Sequence, residues 1–329
     1  MGVRGLNMTL LFTLFGNLEQ LDKIRLNFSD GGVLFMNFAI AFVMFGVALS
    51  IKAEHFKDLA KNPKTIVLGI ISQYFMLPAM TFLLVLLIKP SPAVAFGMIL
   101  VAACPGGNVS NMISMLAKAN VALSVSLTAF TTVFALFMTP FNFTFWGGLY
   151  ARQSPYLVEL VIEPSQIFQT VGVILGIPVI LGLIVGSRFP KFREKIQKPV
   201  RWASMLVLIG FIVGALAANL DHFLKYIYLV FFIVLIHNAL GLTVGYWFPK
   251  IFKENTINSR TISIETGIQN SGLGLALIFN PKIFPPELEL GGMAFIAAWW
   301  GVWHIAAGSG LAFYWGRKKK SPVIAPLED

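Results

Sequence analysis

Residues 263–274 read SIETGIQNSGLG, in the middle of an apolar stretch long enough to cross a bilayer. A glutamate, a glutamine, an asparagine and three glycines do not belong in hydrocarbon unless something there satisfies them. The rest of the chain sharpens the contradiction. Of 329 residues, 57% are hydrophobic and 12% charged, and mean hydropathy is +0.76. That is the composition of a polytopic membrane protein. The formal charge of +10 would suggest nucleic acid as a partner for a soluble chain. Here the Lys and Arg lie between apolar runs, where they set topology, so the partner implied is membrane lipid and no nucleic acid. Cys104 is the only cysteine, which excludes an intrachain disulfide and a thiolate metal cluster.

Apolar runs of about 20 residues, the length of helix that spans hydrocarbon, lie near 32–51, 65–88, 92–117, 120–147, 165–187, 202–218, 224–248, 261–281 and 289–315. Nine spans place the two ends of the chain on opposite sides. The clusters Lys52–Lys64, Arg188–Arg201, Lys250–Arg260 and Arg317–Lys320 then share one side, which the positive-inside tendency makes cytoplasmic. The expected topology has the N-terminus outside a plasma (inner) membrane and a cytoplasmic tail, 317–329. Residues 1–31 hold an apolar run, Leu6–Phe15, too short to span and lacking a cleavage site; they read as an interfacial segment standing in for a reduced first span. The basic stretch Ser187–Arg201 reads as a cytoplasmic loop, and Arg152–Gln166 as a segment along the outer interface.

The polar interruption is not alone. CPGGNVSN, 104–111, interrupts the third span as ETGIQNSG, 265–272, interrupts the eighth. The two are five spans apart, and an odd offset inverts orientation. This is the pattern of an inverted-topology repeat, with halves 32–147 and 148–316. Broken helices near the bilayer midplane present N-terminal N–H groups to anions and C-terminal carbonyls to cations.

Glu265 is the one acidic residue deep in a span, and no Lys or Arg lies deep enough to pair with it. A proton or a metal ion is left as its partner. His237 and His304, the histidines inside spans, could with Glu265 supply zinc donors, but no HExxH or close His pair occurs. Gln73, Ser110, Asn111, Ser124 and Thr128 offer neutral oxygens, with Ser124 and Thr128 on one helical face. Several neutral oxygens around one carboxylate suit a hard, weakly polarising cation, sodium better than calcium. The competing readings are a proton-coupled organic anion carrier and a ligand-binding membrane sensor. An intramembrane enzyme would need Cys104 activated by His237 or His304, and a thiol in an apolar span is commonly inert packing. The chain therefore reads as no enzyme, with no catalytic residues.

CPGGNVSN, NVALSVSLTAFTT (120–132), GIISQY (69–74) and ETGIQNSG together resemble the bile acid:sodium symporter family, over the chain from about Asn37 to Trp315. The resemblance implies an all-α membrane protein of about nine helices built as an inverted repeat. A panel domain (32–51 and 165–218) would face a core domain (65–147 and 224–315) whose two broken helices cross. It implies two sodium ions. One would use Ser110, Asn111, Ser124, Thr128 and Glu265; the other Gln73, Glu265 and Gln269 with the backbone carbonyls of Thr266 and Ile268. Asn108, Asn270 and His304 would contact a small organic anion, a bile acid or another carboxylate such as pantoate, carried by alternating access. Two departures bear on substrate. Asn108 stands where several bacterial members have threonine, and Ile305 follows His304 where bacterial relatives commonly have asparagine.

Overall fold

The computed structural model describes residues 18–24, 30–51, 63–153, 164–218, 220–280, 283–285 and 288–317. Leu6–Phe15, most of the expected interfacial stretch after Arg152, and the tail beyond Arg317 lie outside them. Every regular element among the described residues is a helix. A short α1 (Glu19–Asp22) is followed by α2 (Asp30–Ser50), α3 (Pro63–Ile88), α4 (Pro92–Ala103), α5 (Val109–Leu116) and α6 (Val121–Gln153). Next comes α7, formed by Pro164–Val171 and Ile177–Arg188 joined through a π turn at Gly172–Gly176. The series ends with α8 (Pro190–Ala218), α9 (Leu220–Ile251), α10 (Thr256–Gly267), α11 (Ser271–Ile278) and α12 (Gly291–Arg317).

Proline punctuates this series. Pro63, Pro92, Pro164 and Pro190 open α3, α4, α7 and α8, where a missing N–H costs no helical bond. Inside α3, Pro78 cannot donate to the preceding turn, and the helix widens into a π turn over Ser72–Met76 just before it. Gln73 sits in that widened turn. The basic stretch expected to be a loop is instead the start of α8, which runs unbroken through Lys191–Arg201 and Pro199. Its Lys, Arg, Glu and Gln residues are good helix formers, and that propensity outweighs their charge.

Four helices among the described residues are long and apolar enough to cross a membrane: α3, α6, and the parts of α7 and α9 from Ser165 to Arg188 and Leu224 to Ile251. The apolar helix α4 falls short in length because the chain breaks after it. Phe137, Phe141 and Phe145 on α6, and Val173, Ile177, Ile180 and Ile184 on α7, point outward and are exposed on the surface of the protein. An apolar exterior over an apolar interior is what a lipid-solvated helix bundle requires.

The helices share one core, with two sets of extensive neighbours. α2 lies against α7 and α8, while α9 runs along α10 and α12 packs on α4, α9 and α11. Within the second group, Ala93–Ala103 of α4 and all of α11 are buried. The little helix α1 is wedged against α4 and α12 with Leu18 and Leu21 buried. Its Asp22 carboxylate accepts from Ser91 Oγ (2.9 Å) and from the Ala93 N–H (3.1 Å), so it caps α4. Burial pushes the Asp22 carboxyl up to about 6, against the pull of those two hydrogen bonds and helped by Glu289 and Glu19 nearby.

Candidate functional site at the helix crossing

The chain between α4 and α5 meets the chain between α10 and α11. Gly107 N–H donates to Ile268 O (2.7 Å) and Asn270 N–H donates to Pro105 O (2.8 Å), pairing Gly106 with Gln269 as an isolated antiparallel bridge. Two extended segments thus satisfy each other's backbone where neither helix can. The lengths match: 12 residues in α4 and in α10 before the break, 8 in α5 and in α11 after it. An asparagine occupies the N-cap of each second half, Asn108 for α5 and Asn270 for α11.

Glu265, two residues before the end of α10, is 1% exposed. Its Oε2 accepts from Ser110 Oγ (2.6 Å) and, at longer range, Ser124 Oγ (3.5 Å); its Oε1 accepts from Thr128 Oγ1 (2.9 Å). The structure therefore gathers Ser110, Ser124 and Thr128 on one carboxylate, from α5 and α6. Asn111 joins through Thr128, whose hydroxyl lies 3.4 Å from Asn111 Oδ1 and from Ser110 Oγ, and 3.0 Å from Ser124 O. Thr128 has one proton to share among all these neighbours, so oxygen lone pairs outnumber hydrogens. Gly106 lets the carboxylate come this close to the crossing: a Cβ there would lie 2.3 Å from Glu265 Oε1. Arg260, a turn and a half earlier on α10, turns its guanidinium over the Trp315 ring at 5.5 Å. Ser114, which the sequence did not single out, extends the cluster by donating to Ser124 Oγ (3.2 Å).

A second group lies on the other flank of the break. Gln73 Nε2 donates to Cys104 O (2.9 Å) and to Gln269 Oε1 (2.8 Å), and Gln269 Nε2 donates to Thr266 O (2.6 Å). Ser72 Oγ and Thr266 Oγ1 are 3.0 Å apart. Gln73 is fully buried, yet its Oε1 has no hydrogen-bond partner among the described residues. Gln73, Thr266 and Gln269 are therefore brought together, the set that the family resemblance implied, while the Ile268 carbonyl is engaged by Gly107 N–H. Ser72, and Asn238 on α9, which donates to Gly267 O (2.7 Å), are members the sequence did not reveal. Each is an ordinary span polar residue until its partner, 194 or 29 positions away, is known.

The remaining expected residues surround the crossing without bonding one another in the structure. Asn108 is exposed and Asn270 half-buried. Asn270 Oδ1 caps α11 by accepting from Leu273 N–H (3.1 Å), leaving Nδ2 against Met44 Sδ of α2 at 3.8 Å. His304, buried on α12, shares a helical face with Gly301, which abuts Ser271, and Gly308, which abuts Ile268. His237 lies apart, 2.7 Å from Thr81 Oγ1 and edge-on to Trp300. Among the described residues no three His, Cys, Asp or Glu side chains converge, so the zinc arrangement finds no support in the fold.

Comparison with known proteins gives this crossing a context. Residues 37–226 match the profile of the sodium bile acid symporter family. The chain is 33% identical over 284 residues to an "uncharacterized sodium-dependent transporter", YocS, of Bacillus subtilis, covering 85% of this chain and 83% of that one. A rice protein described as a "probable sodium/metabolite cotransporter", chloroplastic, is 33% identical over 278 residues, 79% of this chain and 62% of the relative. Rat sodium/bile acid cotransporter 5 is 30% identical over 236 residues, 69% of this chain and 51% of its own length. The chain thus spans most of the bacterial relative but less than two thirds of the rice and rat proteins. A multi-pass helical protein whose relatives are sodium-dependent transporters rather than enzymes, this chain belongs to the sodium bile acid symporter family.

Proposed function

We propose that the protein couples two sodium ions to the uptake of a small organic anion. The observation that carries this reading is the excess of oxygen lone pairs over protons around the buried carboxylate of Glu265. Among the described residues only neutral hydroxyls donate to it, and a carboxylate so buried calls for a cation. In this reading Ser110, Asn111, Ser124, Thr128 and Glu265 hold one sodium. Gln73, Gln269, Glu265 and the carbonyls of Thr266 and Ile268 hold the other, once the Gln73 and Gln269 amides turn their oxygens toward it. The unpartnered Gln73 Oε1 favours such a turn. One carboxylate serving two sodium ions leaves net positive charge beside the N-caps of α5 and α11, where Asn108 and Asn270, with His304, meet the anion.

The matched helix lengths on either side of the two breaks support an inverted repeat of 32–147 and 148–316 within nine spans. The extensive packing of α2 on α7 and α8 supports a panel domain moving against a core domain by alternating access. The N-terminus would face outside and the C-terminus the cytoplasm of a plasma membrane. The relatives named for bile acid and for metabolite cotransport make a bile acid or a smaller carboxylate such as pantoate the substrates to try first. Two sodium ions with one monoanion carry one net charge inward, worth about 2.3 kcal/mol per 100 mV, so uptake is electrogenic.

The test is accumulation of radiolabelled taurocholate and pantoate in proteoliposomes under an inward sodium gradient, beside a potassium-only control. Sodium-dependent accumulation that grows with an inside-negative potential is the expected result. Uptake indifferent to sodium and driven by a pH gradient would recast Glu265 as a proton site. Ligand binding without flux would favour a sensor.

A further inference from the structure

We propose that Asn238 is a positioning residue for the second sodium site, the counterpart on α9 of Gln73 on α3; this rests on the sodium reading above. α3 precedes the first broken helix and sends the Gln73 carboxamide to Cys104 O, the C-cap carbonyl of α4. α9 precedes the second and sends the Asn238 carboxamide to Gly267 O, the last helical residue of α10. Both amides are completely buried. Each bonds a carbonyl that helix termination leaves without an intrahelical partner.

The fit around Asn238 is built for close approach. Gly245 lies two turns further along the same face of α9, and a Cβ there would sit 2.7 Å from Ser263 Cα and 2.8 Å from Ile262 O. With Gly241 it forms a small-xxx-small face that brings the α9 and α10 backbones together. Ser263 Oγ adds a 2.6 Å bond to Leu242 O.

Position then translates into chemistry. Three consecutive carbonyls at the break have three separate donors: Gln269 Nε2 on Thr266 O, Asn238 Nδ2 on Gly267 O and Gly107 N–H on Ile268 O. The first and third are the backbone oxygens assigned to sodium. The middle one is not, and it holds the peptide plane between them. Because each residue links two rigid peptide planes through only φ and ψ, releasing Gly267 O frees the orientation of both neighbours. Among the described residues Asn238 Oδ1 has no hydrogen-bond partner, and the amide bonds this carbonyl. Asn238 thus tunes sodium affinity without touching the ion.

The experiment titrates sodium against potassium at constant ionic strength and reads the melting temperature of the purified full chain. Asn238→Leu and Asn238→Ala remove the donor, and Asn238→Ser keeps one. The expected result is a half-saturating sodium concentration raised roughly fivefold or more in the Leu and Ala variants, the scale of one lost hydrogen bond, and by less in the Ser variant. A uniform drop in melting temperature with unchanged half-saturation, in whichever donor-free variant folds, would make Asn238 purely structural and overturn the proposal. A wild-type protein that gains no stability from sodium would fail the sodium reading itself, and the proposal with it.

Discussion

The two breaks in the crossing helices look alike in outline and differ in origin. Between α4 and α5 the sequence itself ends the helix: Pro105 has no N–H to give, and Gly106 and Gly107 weaken helical preference further. Between α10 and α11 there is no proline, and the residues from Ile268 to Asn270 carry ordinary side chains. That second break is held open by Gln269 within it and, from outside, by Asn238 and Gly107, all donating to its carbonyls. The acidic residue lies beside the break that tertiary contacts make. The first break follows from a missing backbone donor, whereas the second depends on side-chain donors that an ion can displace.

The sharpest way to break the comparison is at Glu265. Glu265→Ala should abolish sodium-driven uptake while the protein still reaches the membrane, because every hydroxyl of the first cluster loses its common acceptor; sodium-driven uptake at the wild-type rate in this variant would remove the carboxylate from the mechanism. Gly106→Ala comes next. Its methyl must displace a carboxylate oxygen 2.3 Å away, and overpacking of that kind costs about 1–3 kcal/mol. A loss of roughly tenfold or more in sodium affinity is expected from sodium titrations of uptake, and an unchanged affinity would show that Glu265 can sit elsewhere at no cost.

Gln73→Leu sharpens the distinction between the two ion sites. It removes the bonds to Cys104 O and Gln269 Oε1, at a cost of about 1–3 kcal/mol for the groups left unpaired. The dependence of uptake on sodium should change from sigmoidal to hyperbolic, and a curve that stays sigmoidal would place the second ion away from Gln73.

The smallest effect concerns how the broken helices begin. α10 starts at a neutral cap, Asn255, and α4 at the Asp22 carboxylate. Because the folded protein holds the Asp22 carboxyl at about 6, above the ordinary 3.8 of a free aspartate, folding favours the protonated form. Its contribution to stability is present below about pH 4 and is lost as pH rises through 6, by at most about 3 kcal/mol. The melting temperature of the wild type relative to Asp22→Asn should therefore fall between pH 4 and 6 and level off above; parallel curves would mean that the cap does not titrate in this range.

Much of this site was legible in the chain because membrane burial makes polar residues conspicuous. Glu265, Ser110, Ser124 and Thr128 stand out against an apolar background, and the structure brings all four together. Ser72, Ser114 and Asn238 were not legible. Hydroxyls and amides in spans usually bond their own helix or a neighbour, and nothing local separates those that do from those that reach the crossing. The helical start of α8 was misread for the opposite reason: a dense run of positive charge suggests a loop, while the same residues are strong helix formers.

By itself the sequence determined the solvent, the helices and the first break. Those follow from composition, from runs of about 20 apolar residues and from the missing N–H of Pro105, all properties of neighbouring residues. Only the tertiary structure decided how the second break is held open, the partners of its three carbonyls and the crowding of oxygens around Thr128. Those depend on side chains from α3, α5, α6 and α9 arriving at one point, and hydrogen bonds between distant segments have no signature until the backbone has brought them within about 3 Å.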